Sequence, residues 1–291
     1  MATLNQRRPQ NAKGDVYVDK TCIDCDTCRW MAPDVFHRAD EQSAVYHQPT
    51  NETERLAAMQ ALLSCPTASI GTVDKPQDIK AVQETFPIPI ADNVYHCGYH
   101  AESSYGAASY LIVREQGNIL VDSPRFTPAL VKALEDMGEI RYMYLTHRDD
   151  IADHKKFRDH FRCDRILHSD DITPKTSDVE IQLTGHDAIA LSPDLVILPV
   201  PGHTKGHTVL LYQQRFLFTG DHLAWSNRLH QLYAFDNLCW YSWSELLNSM
   251  RRLATYRFEW VLPGHGRRYH ADAQTMGQQM QKCISWMETV R

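Results

Sequence analysis

Three cysteines fall within seven residues, in "CIDCDTC" at 22–28, and a fourth stands in "CP" at Cys65-Pro66. No other feature restricts the first quarter of the chain as strongly. Three thiolates on one tight loop, with a fourth brought from afar, suit a cubane iron–sulfur cluster. A four-cysteine zinc site usually has two separate C-x2-C knuckles, whereas this chain has one extended run; structural zinc, or cysteines that share no ligand, is the alternative. The remaining cysteines, Cys97, Cys163, Cys239 and Cys283, are isolated. The N-terminal "MATLNQRRPQNAKGD" lacks the apolar core of a secretory signal. Clustered cysteines without such a signal point to metal rather than disulfides, and to a reducing, cytoplasmic setting. The formal net charge of −6, with no basic stripe, argues against a nucleic-acid partner. No apolar run approaches a membrane span.

The pattern of residues divides the chain. A flexible N-terminus (1–14) precedes a small α+β unit (15–75): "DVYVDK" as a strand, "VFHRADEQSAVYHQ" as a hairpin, "NETERLAAMQALLSC" as a capped helix and "ASIGTVD" as a closing strand. The proline-bearing stretch 76–91 reads as a linker. Residues 92–291 then mix strands and helices. "ASYLIVREQGNILVDS" reads as a hairpin, "TPALVKALEDMG" as a helix stopped by Gly138, and "DHKKFRDHF" and "YSWSELLNSMRRLATY" as further helices. Four apolar strands each run into a polar motif: "THRDDIADH", "VPGHTKGHT", "LFTGDHL" and "LPGHGRR". Loops after strands are where chemistry tends to sit.

"CIDCDTCRWMAPDVFHR" followed by "CPTASI" resembles a single-cluster bacterial ferredoxin. The resemblance implies one 4Fe-4S cluster held by Cys22, Cys25, Cys28 and Cys65. Asp24 and Asp26 stand where such loops commonly have small residues, and two carboxylates beside the cluster are expected to lower its potential unless they face solvent. The four strand-end motifs together resemble the metallo-β-lactamase superfamily, which implies an αββα sandwich with a two-metal site at one edge. Carried over, His147 and Asp149 serve the first metal, and Asp153 and His154 match the Asp-His pair of the second. His203 is the next ligand, Asp221 the bridging carboxylate and His265 the last histidine; Asp153, His154 and Asp221 are expected to carry the chemistry. His207 and His222 fall outside the ligand positions.

The motif departs from the family's His-x-His-x-Asp-His: a carboxylate replaces the second histidine, and two extra residues precede Asp153-His154. Asp150 can therefore replace Asp149, and a site reduced to Asp153, His154, Asp221 and His265 is a further reading. Added carboxylates shift preference from zinc toward iron or manganese. A carboxylate at that histidine's position resembles the flavodiiron proteins, whereas "PGHTKGH" is similar to glyoxalase II-like hydrolases. Trp225, Tyr233, Phe235, Trp240, Tyr241 and Trp243 offer an aromatic wall, with Trp243 the best core candidate; Cys239 reads as a buried thiol and Arg125 as an anion contact.

The function expected is an oxidoreductase whose cluster passes electrons to one or two metal ions, iron favoured and zinc or manganese the alternatives. It would take a small-molecule substrate and an electron donor such as a reductase or ferredoxin, and homo-oligomerisation fits this scheme. The competing function is a thioester, lactone or phosphoester hydrolase with a structural or regulatory cluster; a sensor without turnover ranks last.

Overall fold

A computed structural model describes residues 2–290. The chain forms two compact units, one of residues through 141 together with 152–162, the other of 142–151 together with 163 onward. In the first unit, Val16–Val18 pairs antiparallel with Ile70–Thr72, and Phe36–Ala39 with Gln42–Val45. Asp40 and Glu41 turn this hairpin at φ 47° and 61°, which matches the right-handed strand twist. The helix Glu52–Ser64 opens at Asn51, whose side chain accepts from the Glu54 N–H at 2.9 Å, while the Glu54 carboxylate accepts from the Thr50 N–H at 2.8 Å.

The first fourteen residues are not a free tail: Arg8 buries its guanidinium on the carbonyls of Ser43 and Ala39. The expected linker contains the helix Ile79–Gln83 and the strand Ile88–Ala91. That strand begins an antiparallel ladder continued by Val94–His96, Tyr110–Ile112 and Asn118–Val121. Gly117, at φ +97°, turns the last hairpin. The helix Pro128–Asp136 is capped by Thr127, and His154–Phe161 sets Phe157 edge-on to Phe126 at 5.0 Å.

The second unit begins within the strand Ile140–Tyr144, at Tyr142, which is followed in parallel by Asp164–His168 and Ile181–Leu183. Its larger sheet orders Ile189–Ser192, Leu195–Pro199, Thr208–Tyr212, Phe216–Gly220, Trp260–Pro263 and Tyr269–His270. Alternate residues, Leu198, Val209, Leu211, Leu217 and Val261, face a core completed by Leu246, Met250 and Leu253 of the helix Trp243–Leu253. The helix Ala273–Val290 adds Met276, Met280, Cys283 and Met287 to that core. The intervening residues Ile197, Leu210, Phe216, Phe218 and Leu262 are also buried, so these strands read as continuous apolar runs rather than alternating ones. Each such side chain contributes roughly 1.5–3 kcal/mol on burial. Tyr144 donates to the Thr208 hydroxyl at 2.6 Å, tying the parallel strands to the larger sheet.

Arg165 lies 1% exposed on the strand Asp164–His168 and grips Glu180 with two hydrogen bonds of 2.9 Å. Partial burial opposes ionisation of Glu180, but the facing guanidinium holds its carboxyl down at about 2. A depressed carboxyl stabilises the fold above its unfolded value, roughly 4.3, and loses that contribution as pH falls toward the folded one. Glu180→Gln should therefore cost about 1–3 kcal/mol in urea unfolding at pH 7. The deficit against wild type should shrink between about pH 5 and 2; a deficit unchanged with pH would mean the ion pair is not its source.

Candidate metal centres

The four strand-end turns of the second unit deliver their polar side chains to one place. His147 follows the strand Ile140–Tyr144 and is fully buried; its Nδ1 meets the Thr146 hydroxyl at 2.9 Å. Its Nε2 is buried with no hydrogen-bond partner, as are both ring nitrogens of His203, from the Pro201-Gly202 turn. Asp221 ends the strand Phe216–Gly220, and His265 Nδ1 lies 2.8 and 3.0 Å from its two carboxylate oxygens. The groups His147, Asp149, His203 and His147, Asp150, Asp221 each bring one ligand atom per residue within 4.8 Å of one another. Both groups share His147.

The backbone is shaped to permit this crowding. A Cβ on Gly264 would come within 2.6 Å of Asp150 Oδ2 and 3.1 Å of Asp221 Oδ1. One on Gly220, at φ +47°, would meet the Thr146 hydroxyl at 2.5 Å. Burial opposes the charge on Asp221, but His265, His147 and His203 hold its carboxyl well below the usual range. Burial pushes His147 down to about 4, keeping the imidazole neutral with a lone pair available for a cation. Orphaned imidazole nitrogens facing carboxylates in a dry site fit a metal, because a cation would satisfy groups that are otherwise costly to bury.

Not every expected residue joins these groups. Asp153 begins the helix His154–Phe161 in the first unit, where its carboxylate accepts from the Phe126 N–H at 2.8 Å and pairs with Lys156 at 2.8 Å. His154 is buried in the first turn of that helix. Both residues lie in the first unit; within the second, Asp150 supplies the carboxylate beside Asp221. Asp149 Oδ2 lies 3.6 Å from His203 Nε2 and 3.9 Å from His147 Nε2.

His207 and His222, which fall outside the expected ligand positions, are fully buried. His207 stacks on His147 at 4.8 Å, and its Nε2 accepts the Asp221 N–H at 3.2 Å, so it braces the site from behind. A residue that the sequence offered no signal for is Asp171: fully buried, it accepts from Thr204 Oγ1 at 2.5 Å, Gly206 N at 2.8 Å and Arg148 N at 3.1 Å. It thereby clamps the His203 turn to the His147 loop. Of the aromatic wall, Trp225 is stacked on Tyr269 at 4.1 Å, and Trp243 packs on Trp286 and the core. Trp240, 59% exposed, stands with its ring 6.3 Å from that of His203. The Cys239 thiol donates to Gly202 O at 3.2 Å, and Arg125 Nη2 donates to Leu63 O at 3.0 Å.

In the first unit, Cys22, Cys25, Cys28 and Cys65 line one cavity with Ser43, Thr67 and Ser69. Backbone N–H groups point at sulfur: Ser43 to Cys22 Sγ at 3.4 Å and Ser69 to Cys65 Sγ at 3.2 Å. Burial pushes the Cys25 thiol up to about 11 and raises that of Cys28 as well, so these sulfurs ionise only against a cationic partner, which is what a cluster supplies. Asp24 and Asp26 adopt φ 60° and 66°, a conformation Asp tolerates better than most residues, which accounts for their standing where small residues are usual. Their carboxylates do not bear on the cluster as bare charges: Arg29 binds Asp24 at 2.6 Å and Asp26 at 2.5 Å, and Arg38 binds Asp24 at 2.8 Å. These ion pairs counter the negative charge that the two aspartates set beside the loop.

Asp150→Asn and Asp153→Asn separate the two registers of the loop. Asp150→Asn should weaken metal binding in the second unit by about 10–100-fold. Asp153→Asn should leave the metal content intact and cost about 1 kcal/mol of stability. Metal analysis after dialysis decides; the reverse pattern would restore Asp153 as the ligand.

Residues 18–72 match the family model of the 4Fe-4S single cluster domain of Ferredoxin I. No curated protein matches the sequence. Solved structures do match: the BLEG-1 B3 metallo-beta-lactamase at 17% identity, covering 67% of this chain and 99% of that one, with a TM-score of 0.52. FIM-1 from Pseudomonas aeruginosa, in its mono-zinc form, shares 17% identity over 69% of this chain and 95% of its own, with a TM-score of 0.51. DIM-1 exposed to ceftazidime shares 16% over 70% and 96%, with a TM-score of 0.54. At such identities the likeness speaks for the fold. The chain therefore joins a ferredoxin-type single-cluster domain to a metallo-β-lactamase fold.

Proposed function

We propose that the protein is a redox enzyme in which the 4Fe-4S cluster delivers single electrons to a non-haem metal site of one or two irons. The observation that carries this reading is the donor set: Asp149, Asp150 and Asp221 stand among His147, His203 and His265, an oxygen-rich constellation that favours iron or manganese over zinc. A hydrolytic reaction transfers no electrons, so a cluster domain in the same chain would be idle in it. His147, Asp149 and His203 would hold one ion, with Asp150 and His265 at a second position and Asp221 between the two. Bound there, the metal supplies one-electron chemistry on a small substrate.

The protein's own groups set the conditions. Asp171 holds the His203 turn and the His147 loop in register. His207, by accepting the Asp221 N–H, orients the carboxylate's backbone. Trp240 offers an apolar wall beside His203 for the substrate. Electrons would come from a reductase or a separate ferredoxin.

A hydrolase with a structural or regulatory cluster is the second reading, favoured by the fold neighbours, several of which are described as beta-lactamases. Metal and sulfide analysis after anaerobic purification, with electron paramagnetic resonance before and after dithionite, separates the two. The redox reading expects about four cluster irons plus one or two more, with a second-site signal that changes on reduction. Reduction of that second site by a stoichiometric donor should slow at least about tenfold in Cys25→Ser, because the relay is broken while the second-site donors are untouched. Zinc in the second site, with hydrolysis unaffected by Cys25→Ser, would overturn it.

A further inference from the structure

Residues well outside the segment matched to the single-cluster domain reach the cluster cavity. The loop after the strand Val94–His96 comes so close that a Cβ on Gly106, at φ +87°, would lie 2.8 Å from Cys25 Cβ and 3.1 Å from its Sγ. Tyr105 donates its hydroxyl to Ile23 O at 2.5 Å, between two of the cysteines. The His100 N–H donates to Ser64 O at 3.2 Å, next to Cys65.

Within this contact runs a chain of four polar groups. Cys25 Sγ lies 3.4 Å from Thr27 Oγ1, and Thr27 Oγ1 lies 3.2 Å from His100 Nδ1. His100 Nδ1 is also 2.6 Å from Gly106 O, and His100 Nε2 is 2.8 Å from His96 Nε2. Thr27, His96 and His100 are each at most 1% exposed, and Trp30 packs over both imidazoles at 5.2 and 5.9 Å.

Elementary hydrogen-bond chemistry gives the chain a direction. A carbonyl only accepts, so His100 Nδ1 carries the proton directed at Gly106 O and Thr27 Oγ1. In neutral His100 the other nitrogen then accepts, and His96 Nε2 donates to it. Gly106 O lies 2.6 Å from His100 Nδ1 and 3.4 Å from Thr27 Oγ1, and Cys25 Sγ lies equally near that hydroxyl; a charged thiolate is the stronger acceptor of the two, so it takes the Thr27 hydroxyl proton. Every donor points toward the cluster, and aligned donors in a dry interior polarise one another.

We propose that His96, His100 and Thr27 form a hydrogen-bond relay that raises the reduction potential of the cluster through Cys25, with both histidines acting as positioning residues. When one electron enters from an external reductant, the added negative charge spreads over the sulfurs, no bond is made or broken, and no proton is transferred. The donors stabilise that charge more than they stabilise the oxidised cluster. The inference rests on the cluster being bound by its four cysteines and is independent of where its electrons go.

The test is a redox titration of the anaerobically purified, cluster-loaded protein, followed by electron paramagnetic resonance, with iron and sulfide assayed in every sample. Thr27→Val, close in shape but without the hydroxyl, should shift the reduction equilibrium about tenfold toward the oxidised cluster, which is about 59 mV for one electron. Thr27→Ser should stay near wild type. His100→Phe should shift in the same direction, His100→Asn should recover part of the loss by keeping a donor near the Nδ1 position, and the pair Thr27→Val/His100→Phe should be less than additive. A fully loaded Thr27→Val with an unchanged potential overturns the proposal. So does a loaded His100→Phe that leaves the potential unmoved while Thr27→Val shifts it. If His100→Phe fails to load, Thr27→Val and His100→Asn decide. Absence of iron and sulfide from the wild-type protein would instead defeat the cluster reading itself.

Discussion

The second unit is organised around the burial of Asp221. A carboxylate 6% exposed, taken from water without compensation, is strongly disfavoured, yet His265, His147 and His203 all face this one. Much of the surrounding architecture follows from making that arrangement possible. Gly220 and Gly264 leave the space that any side chain would fill, and His207 takes up the Asp221 N–H. Asp171, itself buried, stitches the turns that carry His147 and His203. The imidazole nitrogens left without partners are the complement of a cation, so the fold holds a polar site that a metal would complete.

The cluster cavity in the first unit follows the same logic with sulfur in place of oxygen. Burial keeps Cys25 and Cys28 protonated unless a cationic group draws them out, and the peptide N–H groups of Ser43 and Ser69 point at the sulfurs of Cys22 and Cys65. Arg29, held between Asp24 and Asp26, removes the electrostatic burden that those aspartates would otherwise place on the loop. Gly106 and its neighbours close over Cys25 from a stretch of chain far beyond the cysteine motif.

Much of this was legible in the residues. The C-x2-C-x2-C spacing, the Asn51 cap, the hairpin at Asp40-Glu41 and the strands running into Thr146, Pro201, Gly220 and Gly264 are local patterns with local causes. The helix Ala273–Val290 was not read: its buried Met276, Met280, Cys283 and Met287 are interspersed with glutamines, a weak apolar stripe that gains meaning only against the sheet it covers. Asp171, His96 and His100 carry no motif, and their roles come entirely from what they touch.

The loop at 147–154 marks the division most clearly. The sequence by itself determined that histidines and carboxylates crowd a turn after a buried strand, because apolar periodicity ends there. It left open which carboxylate faces inward, since two extra residues free the loop from any set spacing. Within the second unit the fold sets Asp149 by His147 and His203, and Asp150 by Asp221 and His147; in the first, Asp153 meets the Phe126 N–H and Lys156 at the start of a helix. The reason is geometric. Positions 203 and 221 follow strands of one sheet and position 147 a strand of another, so their donor atoms meet through strand pairing together with the packing of sheet on sheet, a distance no local pattern encodes.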